Sequence, residues 1–236
     1  MKKLMTYTPT HKMSDLATQH FRILLVLNRF GIGLGFGEKT IAEVCKENNV
    51  DVATFLAVAN MLVKDDDIAE ETILNISPEA LITYLQRSHE YFLEFRLPEI
   101  RQGLENVLTE RKNDLNNAVL NYFDEYVEEV RKHMMYEETK VFPYIRELIE
   151  GKNNRKYNID IFRRHHDQVE YRLKEFKQIL IKYYPAKGSN ELNNVLFDIF
   201  NCEYDLASHN KIENQLLIPS ILKLEQKNRL RDEQTN

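Results

Sequence analysis

Beyond residue 77 the apolar positions recur in alternating steps of three and four, the spacing that lays one apolar stripe along an α-helix. The pattern runs through four long stretches: Pro78 to about Arg111, about Leu115 to Ile149, about Asn158 to Tyr184, and about Asn190 to Lys227. Turn-like segments separate them: E-R-K-N-D, E-G-K-N-N and Y-P-A-K-G-S-N. Long amphipathic helices joined by short turns pack as antiparallel neighbours. The expectation is an all-α protein built on an up-down-up-down four-helix bundle.

Each stripe carries a histidine among its apolar residues. The first holds Ile82, Leu85, His89 and Phe92, and the second Val119, Tyr122, Tyr126, Val130, His133, Glu137, Val141 and Tyr144. The third holds Ile159, Phe162, His166, Val169, Leu173, Phe176 and Leu180. The fourth holds Leu192, Val195, Ile199, Cys202, Leu206, His209, Glu213 and Leu216. His165 lies about 100° around the helix from His166 and is the weaker candidate of the two. Antiparallel helices bring residues to one height when they are equidistant from the connecting turn. The midpoints between His89 and His133, His133 and His166, and His166 and His209 all fall in or beside the separating turns. Four histidines and two glutamates are therefore expected in one layer of the bundle interior. The separations His89 to His166, 77 residues, and His133 to His209, 76 residues, suit a duplicated helical hairpin.

Two of the stripes share one phrase. His133 precedes Glu137 by four residues and His209 precedes Glu213 by four, so within each pair both side chains point the same way. A proline follows each glutamate by six residues, Pro143 and Pro219, where it is expected to kink or loosen the helix.

The first 75 residues are expected to form a small helical domain ending in an acidic linker, and residues 76–230 the bundle. Residues 1 to about 14 lack a period and read as a tail. D-L-A-T-Q-H-F-R-I-L-L-V-L-N-R-F, residues 15–30, reads as a helix capped by Ser14 or Asp15. G-I-G-L-G-F-G, residues 31–37, lacks the lysine of a phosphate-binding loop and reads as a tight turn with unusual backbone angles. Thr40 caps a short helix through Glu47, Asn48 and Asn49 break it, and Asp51 caps another through Val63. Helix, turn, helix invites a DNA-reading motif, but Lys46 is the only basic residue between Ile41 and Val63. K-D-D-D-I-A-E-E, residues 64–71, reads as the linker, and Ser77-Pro78-Glu79 as the start of the bundle.

Charge and composition narrow the partners. A net charge of -5 with no long basic run argues against nucleic acid as the main partner. The run Ile23 to Leu27 is too short to span a bilayer and no signal-peptide core precedes it, so a cytoplasmic location without a membrane partner is expected. Two cysteines, Cys45 and Cys202, build neither a disulfide framework nor a Cys-rich metal motif.

Two carboxylates buried at one level would cost several kcal/mol each unless paired or metal-bound, and no lysine or arginine shares their stripes. Imidazole and carboxylate without thiolate suit iron, manganese or zinc, and six ligands exceed what one zinc needs. Two metals bridged by Glu137 and Glu213, with the histidines in the outer positions, use every ligand. Room then remains for an oxo bridge or a small diatomic ligand, which favours iron. Neither His-Glu-x-x-His of zinc proteases nor the Glu-x-x-His pairs of ferritin-like bundles is present. No serine or cysteine nucleophile is placed beside a histidine, and Cys202 reads as a core residue.

Taken together, S-H-E-Y-F-L-E-F-R-L-P-E-I around His89, H-M-M-Y-E-E-T-K-V-F-P at His133 and Glu137, H-H-D-Q-V around His166, and H-N-K-I-E-N-Q-L-L-I-P at His209 and Glu213 resemble the hemerythrin-like HHE domains. Within that family they resemble the iron–sulfur cluster repair di-iron proteins. The resemblance implies a non-haem di-iron centre with four histidines and two bridging glutamates, and a role in repairing clusters damaged by oxidative or nitrosative stress. It implies O2, NO or peroxide as small ligands and iron–sulfur proteins as clients. The N-terminal part is similar to that family's small domain, whose Gly-Ile-Asp-x-Cys-Cys-Gly-Gly signature is replaced here by G-I-G-L-G-F-G-E-K-T. Both cysteines are missing, so no thiol role carries over. The alternative is a di-iron O2, NO or redox sensor without repair activity.

Overall fold

The computed structural model describes residues 6–64, 70–108, 114–152, 157–165, 170–184 and 190–235. The expected linker's centre at 65–69, the turn residues 109–113, 153–156 and 185–189, and His166 lie outside them. The described residues form no β-strand, only an isolated bridge between Lys12 and Thr40, so the fold is all-α.

In chain order the helices are α1 Met13–Gln19, α2 Ile23–Arg29, α3 Ile41–Glu47, α4 Val52–Lys64, α5 Glu70–Leu74 and α6 Pro78–Glu90. Then follow α7 Leu97–Leu108, α8 Asp114–Tyr136, α9 Phe142–Ile149, α10 Ile159–His165, α11 Glu170–Tyr183, α12 Asn190–Ile212 and α13 Ile218–Thr235. Three π-helical turns interrupt the long stretches: π1 Tyr91–Arg96, π2 Glu137–Val141 and π3 Glu213–Leu217. The chain divides into two compact units, Met1–Arg87 with Phe142–Arg164 and Lys211–Asn236, and Ser88–Val141 with His165–Asn210.

In the first unit the helix expected over residues 15–30 is two helices. His20 leaves the helical region at φ -132°, ψ 82°, and its ring packs edge-on against buried Tyr7 with centroids 5.6 Å apart. α1 begins at Met13 behind extended Lys12, not behind Ser14 or Asp15, because Met13 is tied to the Lys39 carbonyl and fully buried. Asp15 sits in the first turn, where a negative charge complements the helix dipole. The glycine run is a turn at positive φ: Gly31 at 74°, Gly35 at 98° and Gly37 at 58°. At Gly31 a Cβ would also meet the Arg87 guanidinium at 2.5 Å, a flexible side-chain end that can move aside, so the positive φ is what requires glycine.

The remaining starts follow their caps. Thr40 and Glu43 form a reciprocal capping box at α3, and Asn49 closes that helix in the left-handed region at φ 55°. Asp51 Oδ1 accepts from the Thr54 amide at 2.8 Å at the head of α4, and Ser77 Oγ accepts from the Ala80 amide at 3.2 Å at the head of α6.

The second unit packs apolar side chains from four helical runs into one core. Phe92, Leu97, Ile100 and Leu104 meet Val119, Phe123, Tyr126 and Val130, and these meet Leu173, Phe176, Val195, Ile199, Cys202 and Leu206. Among the described residues most stripe positions face inward as their period requires; Leu192 is only half-buried, and one position is exchanged. Phe123 occupies the core where Tyr122 is expected, and Tyr122 stacks flat on Phe176 at the core's edge, centroids 5.6 Å apart and rings 11° from parallel. At the rim the Tyr122 hydroxyl lies 3.5 Å from Glu175 Oε2.

Candidate metal centre

The centre grows from the junction of α8 with π2. His133 stands one turn before Glu137, and its Nε2 lies 2.9 Å from Glu137 Oε1. The other carboxylate oxygen, Oε2, lies 3.0 Å from Nε2 of His89, near the end of α6. The Glu137 side chain is 0% exposed, and neither of its oxygens accepts a hydrogen bond among the described residues although each faces an imidazole nitrogen. A carboxylate taken fully out of water without hydrogen bonds costs several kcal/mol, which a cation shared with the neighbouring nitrogens would offset.

The second pair keeps the same four-residue spacing across the junction of α12 with π3. His209 lies in the last turn of α12 and Glu213 opens π3; both are buried, at 1% and 0% exposure. Suitable donor atoms of His89, Glu137, His209 and Glu213 all lie within 4.8 Å of one another. The His89 and His209 rings stand 5.1 Å apart at 58°, and Phe92 sets its ring edge-on to His209 at 5.8 Å. Of the six predicted residues the structure thus brings these four together and links His133 to them through Glu137. His166 lies outside the described residues.

Glu138 is the neighbour that sequence periodicity passes over. Its Oε1 lies 2.8 Å from Nδ1 of His89, so one imidazole meets consecutive glutamates, Glu137 at Nε2 and Glu138 at Nδ1. Stripe counting assigns one inward residue per turn and skips the next; the E-E doublet after the His133 turn was the available sign.

The π-turns explain the prolines. Each is followed by an α-helix with proline at its second position: Pro98 after π1, Pro143 after π2 and Pro219 after π3. Proline cannot donate to the carbonyl four residues back and its ring presses on that oxygen. Widening the preceding turn relieves the clash, as the five-residue bonds Leu97 N–H to Phe92 O and Ile218 N–H to Glu213 O show. The expected loosening at Pro143 and Pro219 is therefore a π-turn, and it begins in each case on a site glutamate.

The donor set fits a metal. It is nitrogen and oxygen only, buried, and drawn from imidazoles and carboxylates, a combination that suits iron, manganese or zinc. Cys202, two turns before His209, belongs to the apolar core. No helix among the described residues is long and apolar enough to cross a membrane.

Comparison with known proteins agrees with this chemistry. No curated protein matches the chain. The family model "Hemerythrin HHE cation binding domain" matches residues 80–221, well over half of the sequence and the span that contains all six predicted ligands. With the buried His and Glu cluster lying inside that match, the chain belongs to the hemerythrin HHE cation-binding domain family.

Proposed function

We propose that the chain is a non-haem di-iron protein of the oxidative or nitrosative stress response, with His89, His133, His166 and His209 as terminal ligands and Glu137 and Glu213 as bridges. The observation that carries this reading is Glu137: a fully buried carboxylate whose two oxygens face Nε2 atoms of two different histidines at 2.9 and 3.0 Å. A carboxylate so placed serves two acceptor positions at once, which one metal ion does not require. Two irons would supply electron transfer and affinity for a small ligand such as O2, NO or peroxide. The chain's own part is to exclude water, with Phe92 against His209, and to hold both glutamates in the buried interior.

Metal analysis and optical spectroscopy of anaerobically purified protein test the proposal. About two irons per chain with a charge-transfer band are expected; one zinc and no visible absorption would overturn it.

Iron–sulfur cluster repair is the activity the resemblance implies, and one observation favours the sensor alternative. The first 75 residues contain one thiol, Cys45; it is fully buried in α3, and burial pushes it up to about 12. A thiol held protonated and out of water is a poor carrier for iron or electrons. Restoration of an oxidatively damaged iron–sulfur enzyme by the purified protein supports repair; reversible spectral changes with O2 or NO and no restoration support sensing.

A further inference from the structure

We infer that Glu138 is a positioning residue of the metal centre, holding His89 in the tautomer and orientation that present Nε2 to the metal. This rests on the reading of the cluster as a metal site.

The geometry is specific to one imidazole. His89 is 3% exposed and its two nitrogens face different carboxylates, Nε2 toward Glu137 at 3.0 Å and Nδ1 toward Glu138 at 2.8 Å. A neutral imidazole carries one N–H, and its two nitrogens cannot both be acceptors. Donation from Nδ1–H to the Glu138 carboxylate leaves the Nε2 lone pair facing Glu137, where the site's other donor atoms converge. Carboxylate, histidine and metal in series is a recurrent arrangement that fixes ring orientation and raises ligand basicity.

Local backbone explains how adjacent residues serve one ring. Glu137 and Glu138 are the first two residues of π2, where the turn is wider than an α-helix and consecutive side chains diverge less. Glu138 is 27% exposed at the side chain, so it closes the outer side of His89 while Glu137 closes the inner side. A solvated glutamate on an α-helix would gain nothing from that inward bend. Here the bend gives it a charge-assisted hydrogen bond to a buried ring.

The test compares wild type with Glu138→Gln and Glu138→Ala, using cobalt(II) and iron(II) as probes. Imidazole nitrogen NMR of the metal-free proteins reads the tautomer without any metal. It is expected to show His89 as the Nδ1–H form in wild type and a mixture of forms in Glu138→Ala. Competition against a chromophoric chelator is expected to show roughly 10- to 100-fold weaker binding for Glu138→Ala. Glu138→Gln, which keeps an acceptor oxygen, recovers part of that loss and shifts the cobalt d–d bands. Wild-type affinity, bands and tautomer in both variants would sink the inference, as would failure of both variants to fold, since the role would then be structural. If wild type binds neither metal, the metal-site reading fails while the NMR result still decides what Glu138 does to His89.

Discussion

Nε2 of His89 stands 3.0 Å from Oε2 of Glu137, which joins the end of α6 to the start of π2. The contact holds a fully buried carboxylate with no hydrogen bond to either oxygen among the described residues, a local cost that a bound cation would offset. Binding to the folded state alone stabilises by about 2.7 kcal/mol at a hundredfold excess over Kd. For a chain of this size that is roughly 5–10 °C in Tm. Iron(II) or cobalt(II) added anaerobically is therefore expected to raise Tm by that order and a chelator to reverse it. His133→Ala and Glu137→Ala should abolish the shift; a scanning-calorimetry trace in which either variant responds like wild type removes that residue from the ligand set.

Gly103 lies where two helices of the second unit pack side by side, α7 against α12. A Cβ there would lie 2.8 Å from Cγ2 of Val195, a branched side chain with little rotamer freedom. Alanine is worth about 1 kcal/mol over glycine in an isolated helix, but overpacking a core costs about 1–3 kcal/mol. Gly103→Ala is expected to destabilise, and Gly103→Ala with Val195→Ala to recover at least about 1 kcal/mol relative to additivity. Denaturant midpoints of the two single variants and the double variant decide this, and strict additivity would show that the helices separate freely.

These cases show where sequence pattern suffices. The inward faces follow from helical period alone, because burying apolar surface outweighs local preferences; Leu85, Val130, Leu173 and Leu206 all sit in the interior as counted. Caps are legible for a different reason: Thr40, Asp51 and Ser77 satisfy amides within three residues, so no distant information is needed. Period counting fails where the backbone departs from 3.6 residues per turn. π2 brings Glu138 to His89, and the pattern marks the change only by Pro143 and the Glu137-Glu138 doublet. The break at His20 was hidden because its cause is long-range: Tyr7, also held by Asn60 through its backbone, takes up the space that a continuous helix would cross.

A reciprocal capping box starts α3. Glu43 accepts from the Thr40 amide at 2.7 Å while Thr40 Oγ1 accepts from the Glu43 amide at 3.3 Å, and the backbone hydrogen bond from Thr40 holds the Glu43 carboxyl below its usual range. Replacing an N-cap threonine by alanine typically costs about 1 kcal/mol. Thr40→Ala is expected to show that loss by denaturant titration, and Thr40→Ser to restore most of it. Metal affinity should stay unchanged in both variants, because α3 contributes no residue to the cluster.

Alkaline stability rests on Tyr144, whose hydroxyl donates to Glu225 Oε1 at 2.5 Å while the Ile159 amide donates to the same oxygen at 2.8 Å. Burial, and then the hydrogen bond to Glu225, raise the Tyr144 phenol above its ordinary value of 10.0. A group whose folded-state pKa is raised keeps its proton more tightly in the native state. Its stabilisation is then complete below the unfolded value near pH 10 and falls as pH rises above it. Wild type should therefore lose stability steeply beyond pH 10. Tyr144→Phe should start lower by about 1–3 kcal/mol at neutral pH, having left a buried carboxylate with one donor fewer. It should also show a shallower decline above pH 10, since one proton of the linkage is gone. Unfolding free energies measured from pH 7 to pH 11 decide the matter: parallel curves for the two proteins would mean that Tyr144 titrates alike in the folded and unfolded chains.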